Sequence, residues 1–436
     1  MKRVIALILA SLLCLALFAC SSTNSSSNSA PAAESNAPAP APVSPTDSNV
    51  PAPTGTSDNS IQAGETQTLK IGMIVSMTGF MAQIDIGSIN DAKALVQVIN
   101  DRGGWDVNGT KYKLELVTSD VASDPTQAQT AALYLIDQGI KYVILTTDFL
   151  YTGILNLWEQ YGIMSIADYP TMTTYGGPDY PNVFLGNGGS IAGFSAAART
   201  LKQAFPDVKT VAYCENDNGV NDTEYQYVVQ ACADVGLACS TKIVYAADQS
   251  DFTTVALQLI NSGVDAYIGA GPMTNNGAIV RALRSANSDI IYACPSWQSA
   301  LVLGDIIGPD GAYNYTTLGF LPAVAGGPSQ IFMDTYNEYT QLFGVDDARS
   351  YTGDASNSLY TILQLMAIAK STDVAAVINA WHTTKSFDGF YGTTSMGGSS
   401  LYGADIALTM KTGQSLSDKD GKISFLGYTD LTFPGE

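Results

Sequence analysis

The sequence predicts an α/β fold with two lobes, each built on a doubly wound parallel sheet. From about residue 69 onward, apolar runs rich in strand-forming residues alternate with amphipathic stretches of helical period. The alternation starts afresh near residue 189, which indicates two sheets. Because the strand runs are almost wholly apolar, both faces of each sheet are expected to be covered by helices.

The first set of elements spans residues 69–168. Its predicted strands are 69–75, 112–120, 142–147 and 163–168, and its predicted helices lie within 89–103, 124–139 and 154–162. In the first helix, Ile89, Leu95 and Ile99 recur at helical spacing. The second helix starts at Asp124 and Pro125, a capping residue and then the residue type favoured at the first helical position. A glycine after each helix predicts its end.

The second set of elements spans residues 189–294. Its predicted helices are 189–205, 222–236, 251–263 and 275–286, and its predicted strands are 210–217, 240–248, 264–271 and 289–294. Asp251 is expected to cap the third of these helices and Gly263 to end it. The order of strand and helix again requires parallel pairing.

The N-terminal residues predict an export signal. Lys2 and Arg3 precede an apolar run at 4–18, which is too short for a comfortable bilayer span. Residues 17–20, Leu-Phe-Ala-Cys, resemble the cleavage site of a bacterial lipoprotein. Residues 1–19 are therefore expected to be removed and Cys20 to be lipidated. An ordinary secretory signal with a chance cysteine at the cut site is the alternative.

Residues 20–65 predict a disordered tether that follows the lipidated cysteine. The segment is rich in Ser, Ala and Pro and has almost no large apolar side chains, so it cannot bury a core. About 370 residues are left for folded structure, which suits roughly two domains. The protein is expected outside the cytoplasm, held by lipid alone on a bacterial membrane, in the periplasm or on the outer face of the plasma membrane.

Composition excludes several classes of partner and site. The chain carries 20 Lys and Arg against 40 Asp and Glu, a formal net charge of −20, which disfavours nucleic acid and anionic membrane surfaces. His382 is the single histidine, so zinc sites that need two or three His are excluded, and it is expected at the surface near a helix end. Cys232 and Cys239 are close in sequence, and both a disulfide and two free thiols stay open.

Catalytic motifs are missing from the sequence. It has no G-x-x-x-x-G-K-[ST] loop and no G-x-S-x-G elbow, and residues 186–193 lack the third glycine of a dinucleotide fingerprint. Asp418, Asp420 and Gly421 are a fragment of a calcium loop and are expected to form a polar turn. Residues 215–222 are likewise expected to form a hydrogen-bonded turn. We therefore predict a protein that is not an enzyme and has no cofactor and no metal.

Ligands of open parallel sheets bind beyond the carboxyl ends of the strands. Here those ends are the loops 76–80, 146–153, 167–177, 215–220, 269–276 and 293–299. The aromatic residues in these loops are Phe80, Phe149, Tyr151, Tyr169, Tyr175 and Trp297. Aromatic walls with Thr, Ser and Asn between them suit a small organic ligand. For individual rings, packing under a loop is the alternative.

Several stretches resemble the type I periplasmic binding proteins, in particular the leucine/isoleucine/valine-binding family that serves ABC importers. They are residues 71–100, 103–109, 114–136, 161–166, 250–271 and 278–286. The resemblance covers about residues 68–436 and implies two lobes joined by three chain crossings, with a ligand clamped between them.

The resemblance also implies where the lobes divide and which partners they meet. The crossings are expected near 187–190, 318–322 and 388–392, which gives a first lobe of 66–188 plus 320–389 and a second lobe of 189–319 plus 390–436. Lobe closure around a small-molecule ligand would present a surface to an ABC permease. We expect a monomer. A membrane-tethered ligand sensor of the same fold is the alternative function.

The family's ligand contacts carry over to this sequence in part. Its carboxylate-binding positions after the third and fourth strands match Thr147, Asp148, Tyr169 and Thr171. Two aromatic positions of the second lobe are Val220 and Pro272 here. The acidic residue that the family places after the proline of the 293–299 loop is Ser296 here, followed by Trp297. The full set of predicted ligand-binding residues is Thr78, Phe80, Thr147, Asp148, Phe149, Tyr151, Tyr169, Thr171, Asn218, Met273, Thr274, Ser296 and Trp297.

These departures argue against a standard α-amino acid in the family's usual pose. A buried ammonium without a counter-charge is costly, and Asp148 would repel a ligand carboxylate. The sequence instead predicts a small, partly aromatic or apolar ligand that is neutral or cationic. Trp297 and Tyr169 would be its walls and Asp148 its polar anchor. A branched-chain amino acid binder with a rearranged site is the alternative.

Overall fold

The computed structural model describes residues 66–79, 81–147, 151–169, 176–177, 179–396 and 411–436. These residues all belong to one compact unit of the chain, 60–436. The predicted signal, the predicted lipidation site Cys20 and the predicted tether lie outside the described residues.

Strands and helices alternate as the sequence predicts. The strands are β1 Gln67–Val75, β2 Trp105–Val107, β3 Thr110–Asp120, β4 Tyr142–Thr147, β5 Met164–Tyr169, β6 Val183–Leu185, β7 Thr210–Asn216, β8 Ala238–Tyr245, β9 Ala266–Ile268, β10 Ile291–Ala293, β11 Tyr315–Thr317, β12 Ser386–Gly389, β13 Gly392–Ser395, β14 Lys411–Ser417 and β15 Ile423–Asp430. The helices are α1 Ala82–Asp101, α2 Ala128–Asp137, α3 Leu155–Gln160, α4 Gly189–Ala204, α5 Asn221–Asp234, α6 Thr253–Ser262, α7 Met273–Ser285, α8 Ala300–Ile307, α9 Pro322–Ala325, α10 Gln330–Phe343, α11 Val345–Ala348, α12 Asp354–Ala369 and α13 Val374–Thr383.

The first sheet has the strand order β2-β3-β1-β4-β5-β6. All neighbours are parallel except β2 and β3, which form an antiparallel hairpin at the edge. Ile71, Met73 and Val75 of β1 pack into one hydrophobic cluster and Ile74 into another, because alternate side chains leave opposite faces of the sheet. The sheet is thus covered on both faces, as the apolar runs predict.

The second sheet has the strand order β15-β14-β11-β10-β9-β7-β8. The strands β7 to β11 are parallel to one another, and β14 and β15 add an antiparallel edge that the sequence analysis does not predict. The turn between β14 and β15 is the predicted polar turn. Asp418 Oδ1 accepts the backbone N–H groups of Asp420 at 2.8 Å and Lys422 at 3.0 Å. The Asp418 carboxylate accepts hydrogen bonds from its own turn, and this accounts for the residue spacing that resembles a fragment of a calcium loop.

The helix ends also follow the sequence. The Asp124 side chain accepts the N–H of Thr126 at 2.9 Å and caps a short 3-10 helix, Pro125–Gln127, directly before α2. Asp251 accepts the N–H of Thr253 at 2.9 Å, although the N-cap residue of α6 is Phe252. Gly263 ends α6 in the left-handed region with φ 68°, which glycine enters without steric cost. His382 is exposed on α13 as expected.

Two of the expected lobe crossings fall between elements of different sheets. The first sheet ends with β6 at Leu185 and α4 begins at Gly189, against the second sheet. After β11 ends at Thr317, Leu318 and Phe320 return to the cluster that contains the core of the first lobe. The third expected crossing, near 388–392, is instead the turn of the β12–β13 hairpin. Both Phe390 and Tyr391 pack in that same cluster, and the next strand of the second sheet among the described residues starts at Lys411.

The helices α10, α12 and α13 complete the first lobe. Helix α12 packs between α1, α13 and the first sheet, and ten of its 16 residues are buried. No single helix among the described residues is long and apolar enough to cross a membrane, although α12 and α13 meet that criterion as a pair bent by 94°. The burial of α12 in the core accounts for its apolar composition.

A buried carboxylate joins α1 to α12. Asp91 Oδ2 accepts the N–H of Ser356 at 2.9 Å, and its Oδ1 accepts the Ser356 hydroxyl at 2.6 Å. Burial raises the pKa of Asp91 to about 7 from the ordinary value of 3.8, in spite of these hydrogen bonds. Asp354 lies close by and accepts the Tyr391 hydroxyl at 3.0 Å, and burial raises its pKa to about 6.

Asp91→Asn should flatten the pH dependence of stability. The raised pKa of Asp91 gives the wild type a stabilising contribution that is complete below about pH 4 and is lost as the pH rises through about 7. An asparagine keeps both contacts if its Oδ1 accepts the backbone N–H and its amide donates to the Ser356 hydroxyl. We expect the variant to gain on the order of 1–3 kcal/mol over the wild type at pH 8 and little at pH 4. Urea unfolding at several pH values measures this.

The exposed Asp101 on the same helix provides the control, because Asp101→Asn should leave the pH profile of the wild type unchanged. Identical profiles for Asp91→Asn and the wild type would show that Asp91 ionises normally in the folded protein.

Candidate ligand-binding cleft

Helix α4 brings the strand ends of the two sheets together. Asn187, just before the helix, donates from Nδ2 to the carbonyl of Asp168 at 2.5 Å, and its Oδ1 accepts the N–H of Gly189 at 2.6 Å. Asp168 lies at the carboxyl end of β5. One turn further along α4, a Cβ on Gly193 would lie 2.1 Å from the carbonyl oxygen of Pro295, beyond the carboxyl end of β10. The loops that follow a first-lobe strand and a second-lobe strand are therefore held on one helix.

Carboxylates and a serine hold the loop after β1. Asp85, in the first turn of α1, accepts the N–H of Ser76 at 2.6 Å. Asp120 Oδ1, at the end of β3, accepts the N–H of Met77 at 2.8 Å. The Ser123 hydroxyl donates to the carbonyl of Thr78 at 2.8 Å. The predicted ligand residue Thr78 is exposed in this fixed loop, so its hydroxyl is accessible at the strand end.

Asp85 is a buried acid at the floor of this loop. It has no exposed surface, and burial raises its pKa to about 6, while hydrogen bonds from Ser76 and Thr146 oppose the rise. The Thr146 hydroxyl lies 3.2 Å from the hydroxyl of Tyr151, which also donates to the carbonyl of Ile74 at 3.1 Å. A polar network thus ties α1 to the carboxyl ends of β1 and β4.

The structure places Tyr151 beneath the cleft. Its ring has no exposed surface and packs in a hydrophobic cluster of the first lobe. The predicted aromatic wall at Tyr151 is therefore a support of the loop in this structure, which is the alternative that the sequence left open for single rings. Thr147 and Tyr169 end β4 and β5 and lie opposite each other in the sheet register. The predicted site residues Phe80, Asp148, Phe149 and Thr171, and the aromatic residue Tyr175, lie outside the described residues.

The 293–299 loop is packed between two glycines. Gly193 meets Pro295, and a Cβ on Gly319 would lie 2.2 Å from the carbonyl oxygen of Gln298. The Cys294 thiol donates to Gln298 Oε1 at 3.3 Å and so braces the loop from within. Only glycine allows the backbones to approach so closely at these two positions.

The predicted residues Ser296 and Trp297 occupy the centre of that loop. They are 8% and 4% exposed. The Trp297 ring packs in the hydrophobic cluster that also contains Leu318 and Phe320 and the core of the first lobe. Trp297 therefore connects a second-lobe loop to first-lobe packing, and a change there would alter lobe geometry as well as any ligand contact.

The predicted residues Asn218, Met273 and Thr274 lie at the carboxyl ends of β7 and β9. Asn218 is exposed, and its Nδ2 donates to Glu224 Oε2 at 2.9 Å. Met273 and Thr274 are the first residues of α7, the former half-buried and the latter exposed. The structure thus places all three at the strand-end side of the second lobe.

Glu215 is a buried acid at the end of β7, and the sequence places it in a predicted strand and a predicted turn but not among the predicted ligand-binding residues. It is 1% exposed, and its Oε1 accepts the N–H of Asn216 at 2.9 Å. Burial raises its pKa to about 8, with a further rise from the nearby Glu224 and an opposing effect from hydrogen bonds of the backbone at Asn216, Ala270 and Gly271. The sequence feature that could have identified Glu215 is a carboxyl residue at the end of an apolar strand. The predicted hydrogen-bonded turn is shorter than 215–222: it occupies 217–220 between β7 and α5, where Asn221 Oδ1 accepts the N–H of Asn218 at 3.2 Å.

The strand-end loops combine acidic groups with uncharged ones. No Lys, Arg or His occurs in these loops, which are residues 76–81, 120–127, 146–153, 167–182, 215–220, 246–252, 269–276 and 293–299. Asp85, Asp168 and Glu215 are buried carboxyl groups in or beside these loops. Within the described residues, no group of three or more His, Cys, Asp or Glu is placed to hold a metal ion. The geometry suits the binding of a small molecule by hydroxyl, amide and carboxyl groups.

Comparison with known proteins gives the family. Residues 68–401 match the family model described as periplasmic binding protein. The Leu/Ile/Val-binding protein of Escherichia coli K12 is 25% identical over 249 residues, which are 56% of this chain and 65% of that protein. The leucine-, isoleucine-, valine-, threonine- and alanine-binding protein of Pseudomonas aeruginosa is 25% identical over 271 residues, 62% of this chain and 66% of that protein. The matches thus span just under two thirds of these relatives.

Solved structures share the fold. A solute binding protein of an ABC transporter from Rhodopseudomonas palustris, in complex with 3,4-dihydroxy benzoic acid, has a TM-score of 0.67 at 15% identity and covers 84% of this chain and 99% of its own. A branched-chain amino acid transporter substrate binding protein from Streptococcus pneumoniae, in complex with isoleucine, has a TM-score of 0.64 at 18% identity and covers 84% of this chain and 100% of its own. At these identities the likeness concerns the fold, and it confirms the predicted two-lobe α/β architecture.

Gly193→Ala should disturb the junction of the strand ends. The added methyl would meet the Pro295 carbonyl at 2.1 Å, so the helix or the loop must move. We expect a loss of about 1–3 kcal/mol in the free energy of unfolding, because overpacking forces the backbone to shift. Chemical denaturation measures the loss.

Gly87→Ala is the matched control in another helix. Nothing lies within 4 Å of the position of its Cβ, so the substitution should stabilise by about 0.5–1 kcal/mol through helix propensity. Equal stability of Gly193→Ala and the wild type would contradict the close approach of α4 to the loop.

Proposed function

The chain belongs to the periplasmic binding protein family, and we propose that it is the solute-binding component of an ABC importer. It captures a small organic ligand between its two lobes and delivers the ligand to a membrane permease. The observation that carries this proposal is the family match over 68–401, together with strand-end loops from both sheets held on one helix. Proteins of this kind act by lobe closure, a population shift set by the ligand's preference for the closed form.

The charge of the loops supports a neutral or cationic ligand. The strand-end loops contain no basic side chain, so a ligand carboxylate would have to be held by backbone N–H groups and hydroxyls alone. Asp85 and Glu215 are buried near those strand ends, and Asp148 follows β4 directly. A ligand ammonium or amide donor would pair with an Asp148 carboxylate, which would repel an anion, whereas Glu215, with its pKa raised to about 8, is largely protonated near neutral pH.

The relatives define the competing ligand class. The matched curated proteins are named for branched-chain amino acids, and similar structures contain isoleucine or a dihydroxybenzoic acid. All of these ligands are small organic acids. We propose instead that the ligand is partly aromatic or apolar, is neutral or cationic, and is not a standard α-amino acid. Tyr169 and Trp297 would be its walls, and Asp148 its anchor.

A thermal-shift screen tests the ligand class. The panel contains amino acids, aromatic acids, amides, polyamines and nucleobases, added to the purified protein. A ligand at 100 times its Kd adds about 2.7 kcal/mol, which raises the melting temperature by about a few degrees. We expect hits among cationic or neutral compounds, and Asp148→Asn should weaken a cationic hit by about tenfold or more, because one ion pair is lost.

Asp101→Asn removes an exposed carboxylate far along α1 and should leave the affinity unchanged. Leucine or valine as the strongest ligand would overturn the proposed ligand class and leave the family role intact.

Uptake of the identified ligand by cells that contain the protein and its permease tests the importer role. Binding without uptake would favour a sensor.

We also propose that Cys20 carries the lipid that anchors the protein. Metabolic labelling with a fatty-acid analogue should mark the wild type, and Cys20→Ser should abolish the label and release the protein from the membrane fraction. Cys14→Ser changes a cysteine inside the apolar run and should leave the label unchanged. Label on Cys20→Ser would contradict the proposed site.

A further inference from the structure

Two cysteines face each other across one edge of the second lobe. Cys232 lies near the end of α5 and has no exposed surface, and Cys239 is the second residue of β8 and is half-buried. Both pack in the same hydrophobic cluster. The turn between them is tight, since the N–H of Leu237 donates to the carbonyl of Cys232 at 2.8 Å.

Helix α5 packs against β8, and each thiol of the pair perturbs the pKa of the other, which places them close together. The other two described cysteines have different surroundings. The Cys294 thiol donates to Gln298 Oε1 at 3.3 Å, and Cys214 is buried within β7, in a different hydrophobic cluster from Cys232. The four cysteines of the described residues are therefore one close pair and two separate buried thiols, which serve as internal references.

We propose that Cys232 and Cys239 form a disulfide in the mature protein. The oxidant is a disulfide, either glutathione disulfide or the active-site disulfide of a thiol oxidoreductase. Cys239, as its thiolate, attacks one sulfur of that disulfide, forms a mixed disulfide and releases one thiolate. Cys232 then loses its proton and attacks the Cys239 sulfur, which forms the internal bond and releases the second thiolate. Two protein thiols are oxidised, and the external disulfide is reduced to two thiols.

The surroundings of the pair favour this order of attack. The nearby Cys232 thiol lowers the pKa of Cys239, which is also the more accessible of the two. The Cys239 thiol, together with burial, raises the pKa of Cys232. Thiolate character and access together decide which cysteine reacts first.

The cross-link would stabilise the second lobe without changing the cleft. It ties the end of α5 to the start of β8, whereas the strand-end loop of β8 follows Tyr245 at the opposite end of the strand. Because the closed loop is short, the constraint on the unfolded chain is modest. We therefore expect reduction to lower the melting temperature by about a few degrees and to leave ligand affinity unchanged.

Peptide mapping of the full chain tests the proposal. The folded protein is incubated with glutathione disulfide, unfolded, alkylated and digested without reduction. We expect the peptides of Cys214 and Cys294 to be alkylated, and those of Cys232 and Cys239 to be recovered joined, about two mass units below their sum. Recovery of all four as alkylated peptides would overturn the proposal, and this measurement needs no variant.

Variants separate the pair from other thiol chemistry. In Cys239→Ser, Cys232 should be alkylated or capped by glutathione and no internal cross-link should form. Cys214→Ser should keep the Cys232–Cys239 cross-link, and a cross-link to Cys214 or Cys294 instead would contradict the assignment. The outcome is independent of the ligand screen, because the chemistry is read at each cysteine.

Discussion

The burial of α4 between the two sheets is the constraint on which the rest of the molecule depends. Twelve of its 16 residues are buried. Ile191, Ala192 and Ala196 pack in the cluster of the first lobe, while Phe194 and Leu201 pack against the second sheet. A helix that buries most of its residues against both lobes is enclosed by them, so the two lobes are organised around it.

That enclosure requires very small residues at the points of contact. Gly193 faces the Pro295 carbonyl, and Gly319 faces the Gln298 carbonyl from the other side. The loop between these contacts carries Trp297 into the cluster shared with the first lobe. Packing between the lobes therefore depends on the same loop that we propose contacts the ligand.

Buried acids recur at the strand ends and between helices. Asp85, Asp91 and Glu215 all have a raised pKa because burial penalises the charged form more than their hydrogen bonds favour it. Asp91 contacts Ser356 and acts in packing, whereas Asp85 and Glu215 lie at strand ends. Buried carboxyl groups thus join helices at one place and lie beside the strand-end loops at another, according to their position in the fold.

The sequence by itself determined most strands and helices through residue 294, although not β2 or β6, and the hydrogen-bonding residues Asp124 and Asp251 that precede helical turns. These follow from local periodicity and backbone preferences, which short stretches contain in full. Only the tertiary structure decided that Tyr151 supports the loop from below, that Trp297 packs into the first-lobe cluster, and that 388–392 is a hairpin turn. These outcomes depend on contacts between residues far apart in the chain, and periodicity contains no information on which distant surfaces meet.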